Sequence, residues 1–192
     1  TRKESSAASD VYKRQEWVSL EDTSGALRLA LVLSEDRRFY AHSGVDWASV
    51  SAAAWGHLFH ERTRGASTIS MQLVGLLGEG DRPRSGQRTV LDKVGQVVSG
   101  TVLDRRWRKD RVLEAYLNLV PWRGELVGID ALSRTLFGKA AHGLDDGEAA
   151  IAAALVRAPN APVAQVARRA CGVWRDMLQA RAQSAPVTQP LS

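Results

Sequence analysis

Two adjacent carboxylates and a later hydroxyl-rich turn are the residues of this sequence best suited to chemistry. Glu35 and Asp36 end one apolar stretch, and Ser67 and Thr68 directly precede another. A carboxylate beside a reacting hydroxyl acts as a general base, and hydroxyls at a helix start bind anionic or sugar groups. Taken singly, each feature is more often a solvated helix end or an N-cap. Together they predict a proton-transfer site that faces a substrate cradle.

Composition indicates a globular domain with anionic partners. The chain has 192 residues, of which 44% are hydrophobic, so it can bury a core. Its net charge of +5 favours nucleic acid, an acidic membrane surface or a phosphate-bearing substrate. The single cysteine, Cys171, excludes an internal disulfide. No apolar run reaches the ~18 residues that cross a bilayer.

The pattern of apolar residues divides the chain into a lead, one domain and a tail. Residues 1–15 are polar and without periodicity, and we expect a disordered lead or a scar. Residues 16–183 form the domain, and residues 184–192 a frayed tail. Apolar residues within the domain recur at helical spacing, with almost no strand signal. The predicted class is mainly α.

Several helix ends and faces follow from the same pattern. A first helix begins near Ser24, and a later one is capped by Ser67 or Thr68. In the last helix, Trp174 and Leu178 are expected to face the core. Valines at helical spacing mark a further helix at positions 90, 94, 97, 98 and 102. Another helix is predicted from the apolar positions 47, 50, 54 and 58.

The carboxylate pair resembles the Glu-Asp-x-x-Phe-x-x-His-x-Gly motif of the family 51 peptidoglycan glycosyltransferases. These are the polymerase domains of class A penicillin-binding proteins and their monofunctional relatives. The resemblance implies that Glu35 deprotonates the 4-hydroxyl of an acceptor sugar, which attacks the anomeric carbon of a lipid-diphosphate-linked glycan with inversion. We expect Phe39, Tyr40 and Trp47 to give this base an apolar setting. The other matching residues are Asp36, Phe39, His42 and Gly44, of which the first three are expected to bind substrate.

The hydroxyl turn is similar to the family's Gly-x-Ser-Thr-x-x-Gln-Gln motif, which lines the donor cleft. The matching residues are Ser67, Thr68 and Gln72. Met71 replaces the first glutamine, a version that resembles the penicillin-binding protein 1C type. The Lys-Asn pair that usually follows is Gly75-Leu76 here, so a cation for the diphosphate is missing. Arg64, Arg88 or Lys93 could supply that charge.

The family's second carboxylate has no direct match. Counting back from the Glu-x-Tyr-Leu-Asn stretch at 114–118, the Arg-Lys-x-x-Glu motif falls on residues 92–96. Lys93 is retained, but Asp92 replaces the arginine and Gln96 the glutamate. Because residues four apart share a helix face, Asp92 could stand in as the second catalytic carboxylate, with Lys93 and Gln96 binding substrate. Alternatively, Asp92 and Gln96 are ordinary solvated positions.

The remaining polar candidates are weaker. Lys139 could contact substrate, whereas Glu148 suits a helix cap better than catalysis. His57 and His60 lack the spacing of a metal site, so no metal ligands are predicted. The resemblance implies a divalent cation (Mg or Mn) at the diphosphate, and no organic cofactor.

The resemblance covers residues 24–182 and implies a lysozyme-like glycosyltransferase domain. Such a domain polymerises lipid II into β-1,4 glycan strands and releases undecaprenyl diphosphate. It acts at the outer, periplasmic face of the bacterial cytoplasmic membrane, on the growing lipid-linked glycan and among other cell-wall synthesis proteins. We expect neither the membrane anchor nor a transpeptidase domain in this chain. Trp55, Leu58 and Phe59 could rest on an anionic membrane surface or, alternatively, lie on a helix that faces the core.

Two other functions stay open at this point. A lysozyme-like hydrolase would place water rather than a sugar hydroxyl at Glu35. A catalytically degenerate glycan- or lipid-binding module would explain Gln96. Nucleic-acid binding is disfavoured, because only Trp107 interrupts the basic cluster with an aromatic ring.

Overall fold

The computed structural model describes residues 16–48, 51, 67–78, 90–124 and 126–184, and these parts of the chain are helical with no strand. Two isolated β-bridges are the only extended pairings in those ranges. Short 3₁₀ or π turns occupy Phe39–Ala41, Ser133–Phe137 and Ala141–Gly143. The predicted mainly α class is therefore confirmed. The helices are α1 (Gly25–Glu35), α2 (Ile69–Gly78), α3 (Val90–Arg106), α4 (Lys109–Leu119), α5 (Ile129–Leu132), α6 (Asp146–Arg157) and α7 (Val163–Ser184).

Local hydrogen bonds explain where three of these helices begin. The Ser24 hydroxyl accepts from the third amide of α1, and the Thr68 hydroxyl accepts from the Met71 amide of α2. Asp145 and Glu148 form a reciprocal capping box at the start of α6. The predicted helix start near Ser24, the predicted cap at Thr68 and the cap role of Glu148 are confirmed.

The helices pack in two groups around one core. Helices α1, α6 and α7 contact one another, and α2 contacts α3 and α4. Small side chains on α6 let the neighbouring helices approach closely, since most of its buried positions are alanines. The largest fully buried side chains are Trp122, Tyr116 and Phe39. This packing brings the carboxyl end of α1, which carries Glu35, against α2 and α6.

The predicted inward face of the last helix is wrong. Trp174 and Leu178 are about half exposed, whereas Val166, Ala170 and Met177 are the buried residues of α7. Helix α7 offers apolar residues on two faces, and the buried face is the one with Val166, Ala170 and Met177. The valine stripe of α3 is also exposed at positions 94, 98 and 102. The helix predicted over positions 47–58 lies mostly outside the described residues.

Candidate active site

Glu35 is the last residue of α1, and its carboxylate is held by neighbours on three elements. One oxygen accepts a hydrogen bond from the Ser34 hydroxyl at 3.0 Å, and the other from the Gln72 side-chain amide at 3.1 Å. The Arg157 guanidinium lies 4.0 Å from the first oxygen, and only 7% of the Glu35 side chain is exposed. A buried carboxylate fixed by donors on both oxygens is oriented for proton transfer.

Gln72 joins Glu35 to the core through Tyr116. The Tyr116 hydroxyl donates to the side-chain oxygen of Gln72 at 2.7 Å, and the Gln72 nitrogen donates onward to Glu35. Burial, and then the negative charge of Glu35, raise the pKa of Tyr116 well above its ordinary value. Tyr116 therefore stays a donor, which fixes the orientation of the Gln72 amide. This chain spans α4, α2 and α1.

Asp36 contacts residues of both sequence motifs. Its carboxylate lies 2.9 Å from the His42 ring and accepts the backbone amide of Ile69 at 3.1 Å. Both Asp36 and His42 are buried, with side chains that are 3% and 6% exposed. In this structure they position the start of α2 beside the end of α1. Substrate contact by these two residues stays a prediction.

The aromatic setting expected around Glu35 is wrong in part. Phe39 is fully buried in the core, with the Lys109 ammonium 4.4 Å from its ring centre. Phe39 therefore packs in the core, and substrate contact by Phe39 stays a prediction. Tyr40 and Trp47 are mainly exposed and do not enclose the base as expected. The residues that contact the Glu35 carboxylate are instead the polar side chains of Ser34, Gln72 and Arg157.

The hydroxyl turn is partly structural. Thr68 is buried and donates to the backbone oxygen of Gly44 at 2.5 Å, in addition to capping α2. Gly44 has a φ of 84°, and a side chain there would collide with the backbone of Gly100 at 2.5 Å. Ser67 is half-buried and reaches the surface beside this turn. Substrate contact by Ser67 and Thr68 stays a prediction.

Lys139 is already paired. Its ammonium lies 2.9 Å from Glu148, and this hydrogen bond raises the pKa of Lys139. Glu148 also belongs to the α6 capping box, and substrate contact by Lys139 stays a prediction. Gln96 lies half-buried on α3 and faces Gly75 of α2.

Several predicted residues cannot be placed. The backbone of Asp92 and Lys93 belongs to α3, but their side chains lie outside the described structure, as do Arg64, Arg88 and the segment with Trp55, Leu58 and Phe59. Among the described residues, no group of three His, Cys, Asp or Glu side chains could hold a metal ion. Nor is any described helix long and apolar enough to span a membrane.

Sequence reasoning missed the part played by Arg157 and Tyr116. Arg157 ends α6, and Tyr116 served only as a marker of the Glu-x-Tyr-Leu-Asn stretch. A tyrosine among the apolar residues of an amphipathic helix signals a buried hydroxyl that needs a partner. That signal could have indicated a polar network, although not its members.

Comparison with known proteins identifies the family of this chain. The chain matches the transglycosylase family over residues 3–178. The chain belongs to this family. The matched span begins inside segment 1–15, whose structure is not described, so the domain boundary at 16 stays a prediction.

Three relatives of this chain are each named biosynthetic peptidoglycan transglycosylase. The protein from Pasteurella multocida is 36% identical over 167 residues, and the one from Rhodospirillum centenum is 37% identical over 166. A third, from Shewanella amazonensis, is 35% identical over 175 residues. These alignments cover 84%, 84% and 88% of this chain and 66%, 70% and 69% of the relatives. The chain thus spans about two thirds of their length. The likeness to the 1C type stays a prediction.

Proposed function

We propose that this transglycosylase-family chain is a peptidoglycan glycosyltransferase domain that polymerises lipid II, with Glu35 as the general base. The observation that carries the proposal is the buried Glu35 carboxylate, fixed by Ser34 and Gln72 and placed where the family motif has its glutamate. The substrate is lipid II together with the growing lipid-linked glycan, and the product is a β-1,4 glycan strand.

The proposed reaction is an inverting displacement. Glu35 takes the proton of the acceptor's 4-hydroxyl while the hydroxyl oxygen bonds to the donor's anomeric carbon. The bond from that carbon to the lipid diphosphate breaks, and the diphosphate leaves with the bonding electrons. Because Gln72 and Ser34 hold the carboxylate, the base needs little reorganisation before the proton moves.

The charge of the leaving diphosphate requires cations or oriented donors. We infer that Lys93 and Arg64 or Arg88 supply them, with Asp92 as the second carboxylate. A Mg or Mn ion at the diphosphate stays a prediction, and among the described residues no group of three His, Cys, Asp or Glu side chains could hold it. No step above depends on it.

The site of action follows from the substrate. Lipid II is polymerised at the periplasmic side of the cytoplasmic membrane, so the domain would work beside that surface. The net charge of +5 suits an anionic leaflet, and the segment with Trp55, Leu58 and Phe59 is the proposed contact. Other cell-wall synthesis proteins are further proposed partners.

Incubation of the purified chain with lipid II in detergent or vesicles tests this function. Products are separated into polymer, cleaved glycan and unreacted substrate. Polymer with released undecaprenyl diphosphate supports the proposal. Soluble cleaved glycan alone would instead assign a hydrolase, and bound but unreacted lipid II a degenerate binding module.

A further inference from the structure

Helix α4 holds an extended segment of the chain on a face that the proposed reaction does not use. The segment is Trp17–Leu20, which precedes α1 and which we term the strap. The Glu114 carboxylate accepts hydrogen bonds from the Leu20 backbone amide at 2.9 Å and from the Trp17 indole at 3.0 Å. Burial raises the pKa of Glu114, but these hydrogen bonds and the charge of Arg111 outweigh it and lower the pKa overall. Glu114 is therefore an ionised acceptor for the strap.

Asn118, one turn further along α4, holds the same segment through its backbone. Its side-chain oxygen accepts from the Val18 amide at 2.9 Å, and its side-chain nitrogen donates to the Val18 carbonyl at 2.8 Å. An amide that pairs with both backbone groups of one residue acts as a neighbouring antiparallel strand does. The same nitrogen also donates to the Glu114 carbonyl at 2.8 Å, and Asn118 is buried. The direction of the strap along α4 is therefore fixed.

A short hydrogen-bonded turn connects the strap to α1. The Thr23 hydroxyl donates to the Leu20 carbonyl at 2.6 Å, and the Thr23 amide donates to the same oxygen at 3.2 Å. Thr23 is buried, and the next residue, Ser24, caps α1. A displacement of the strap would therefore be passed to the first turn of α1.

Helix α4 is also connected to the other end of α1. Tyr116 lies between Glu114 and Asn118 in the sequence, and its hydroxyl donates to Gln72, which in turn donates to Glu35. Residues two apart on a helix point about 200° apart, so Tyr116 lies on the face of α4 opposite the strap. The 11 residues of α1 thus run between two attachments to the same helix, the strap at their beginning and Gln72 at their end.

We propose that Glu114 and Asn118 are positioning residues for Glu35, because the strap that they hold fixes where α1 lies along α4. The inference rests on the proposed function in that Glu35 is the general base. A shift of α1 by about 1 Å would stretch the hydrogen bond from Gln72 to Glu35 beyond its normal range, and such a misplacement costs about 100-fold in rate. The Trp17 side chain is 58% exposed, so loss of its contact removes little buried area.

Steady-state polymerisation of lipid II by Glu114→Gln tests the inference. Glutamine keeps the size of the side chain but offers one acceptor oxygen to the two donors of the strap. We expect kcat to fall about 10-fold with KM nearly unchanged, because the base is displaced while the substrate contacts are kept. Asp110→Asn is the matched control, the same loss of a carboxylate at an exposed position of α4, and should keep the kcat of wild type.

Trp17→Phe tests the strap without a change in α4. It removes one donor to Glu114 and leaves every residue of α4 in place, so a lower kcat must pass through the strap and α1. We expect a fall of about 3- to 10-fold, the value of one hydrogen bond. Melting temperatures establish that the variants are folded, and Trp17→Phe decides the matter if Glu114→Gln is not.

Hydrogen exchange of the chain without substrate tests the same link independently of polymerisation. We expect the amides of residues 33–36, at the carboxyl end of α1, to exchange about 10-fold faster in Glu114→Gln than in wild type or Asp110→Asn. Faster exchange limited to residues 18–24, together with the kcat of wild type, would overturn the proposal and leave the strap a packing element. If wild type made no polymer but exchange at residues 33–36 responded to Glu114→Gln, the proposed function would fail while the coupling of Glu114 to α1 stood.

Discussion

Gln72 of α2 donates its side-chain amide to the carboxylate of Glu35 at the end of α1, across 3.1 Å. The two residues come from separate sequence motifs, and this hydrogen bond is a direct contact between them. The Tyr116 hydroxyl donates to the side-chain oxygen of Gln72 and so fixes the orientation of the Gln72 amide. The candidate base is thus held by a chain of hydrogen bonds that reaches into the core.

Replacement of Gln72 by methionine should lower lipid II polymerisation roughly 10- to 100-fold, because a hydrogen bond to a charged group contributes about 1.5–3 kcal/mol. The methionine keeps the volume of the side chain but cannot donate to Glu35. Gln179→Met, at an exposed position of α7, is the control. Wild-type turnover in Gln72→Met would show that Gln72 does not position the base.

Removal of the Tyr116 hydroxyl should have a smaller effect on turnover and a clear effect at alkaline pH. Burial raises the pKa of Tyr116 above its ordinary value, so its neutral form stabilises the fold fully below pH ~10. That contribution is lost as pH rises further and ionisation drives unfolding. We expect the unfolding free energy of Tyr116→Phe to fall less steeply above pH 10 than that of wild type.

Urea unfolding measured from pH 8 to pH 11 checks this expectation. Tyr40→Phe is the control, since Tyr40 is mainly exposed. Parallel pH profiles for wild type and Tyr116→Phe would contradict the assigned burial and hydrogen bond of Tyr116.

Asp36→Ala should destabilise the fold by about 2–4 kcal/mol. It leaves both the Ile69 amide and the His42 ring without their acceptor inside the protein. Asp110→Ala, an exposed residue of α4, should change stability by less than about 0.5 kcal/mol. Equal stability of the two variants would show that Asp36 is not the link between α1 and α2.

The second carboxylate can be tested on α3. If Asp92 fills that role, Asp92→Asn cuts polymerisation strongly, and Gln96→Glu in the same chain restores much of it. One helical turn moves a group about 5–6 Å, a distance that a longer side chain covers. Normal turnover in Asp92→Asn would mean that the domain works with Glu35 as its only essential carboxylate.

Features set by neighbouring residues could be predicted from the sequence. The helix starts near Ser24 and Thr68 depend on side chains within three residues, and both were predicted near where they occur. The family motifs likewise located Glu35 and Gln72. Contacts between distant elements could not be predicted, because helical periodicity does not say which apolar face is buried or which helix covers it. The inverted face of α7 and the proximity of Arg157 to Glu35 are of this kind.

The role of Glu35 is tested most directly by the rate of lipid II polymerisation in Glu35→Gln. The substitution keeps the size of the side chain and removes only its ability to take a proton. Loss of a general base costs about 10²- to 10⁴-fold in rate, and we predict a loss in that range at unchanged melting temperature. Glu21→Gln, at an exposed position before α1, is the control. Polymerisation by folded Glu35→Gln within a few-fold of wild type would contradict the account.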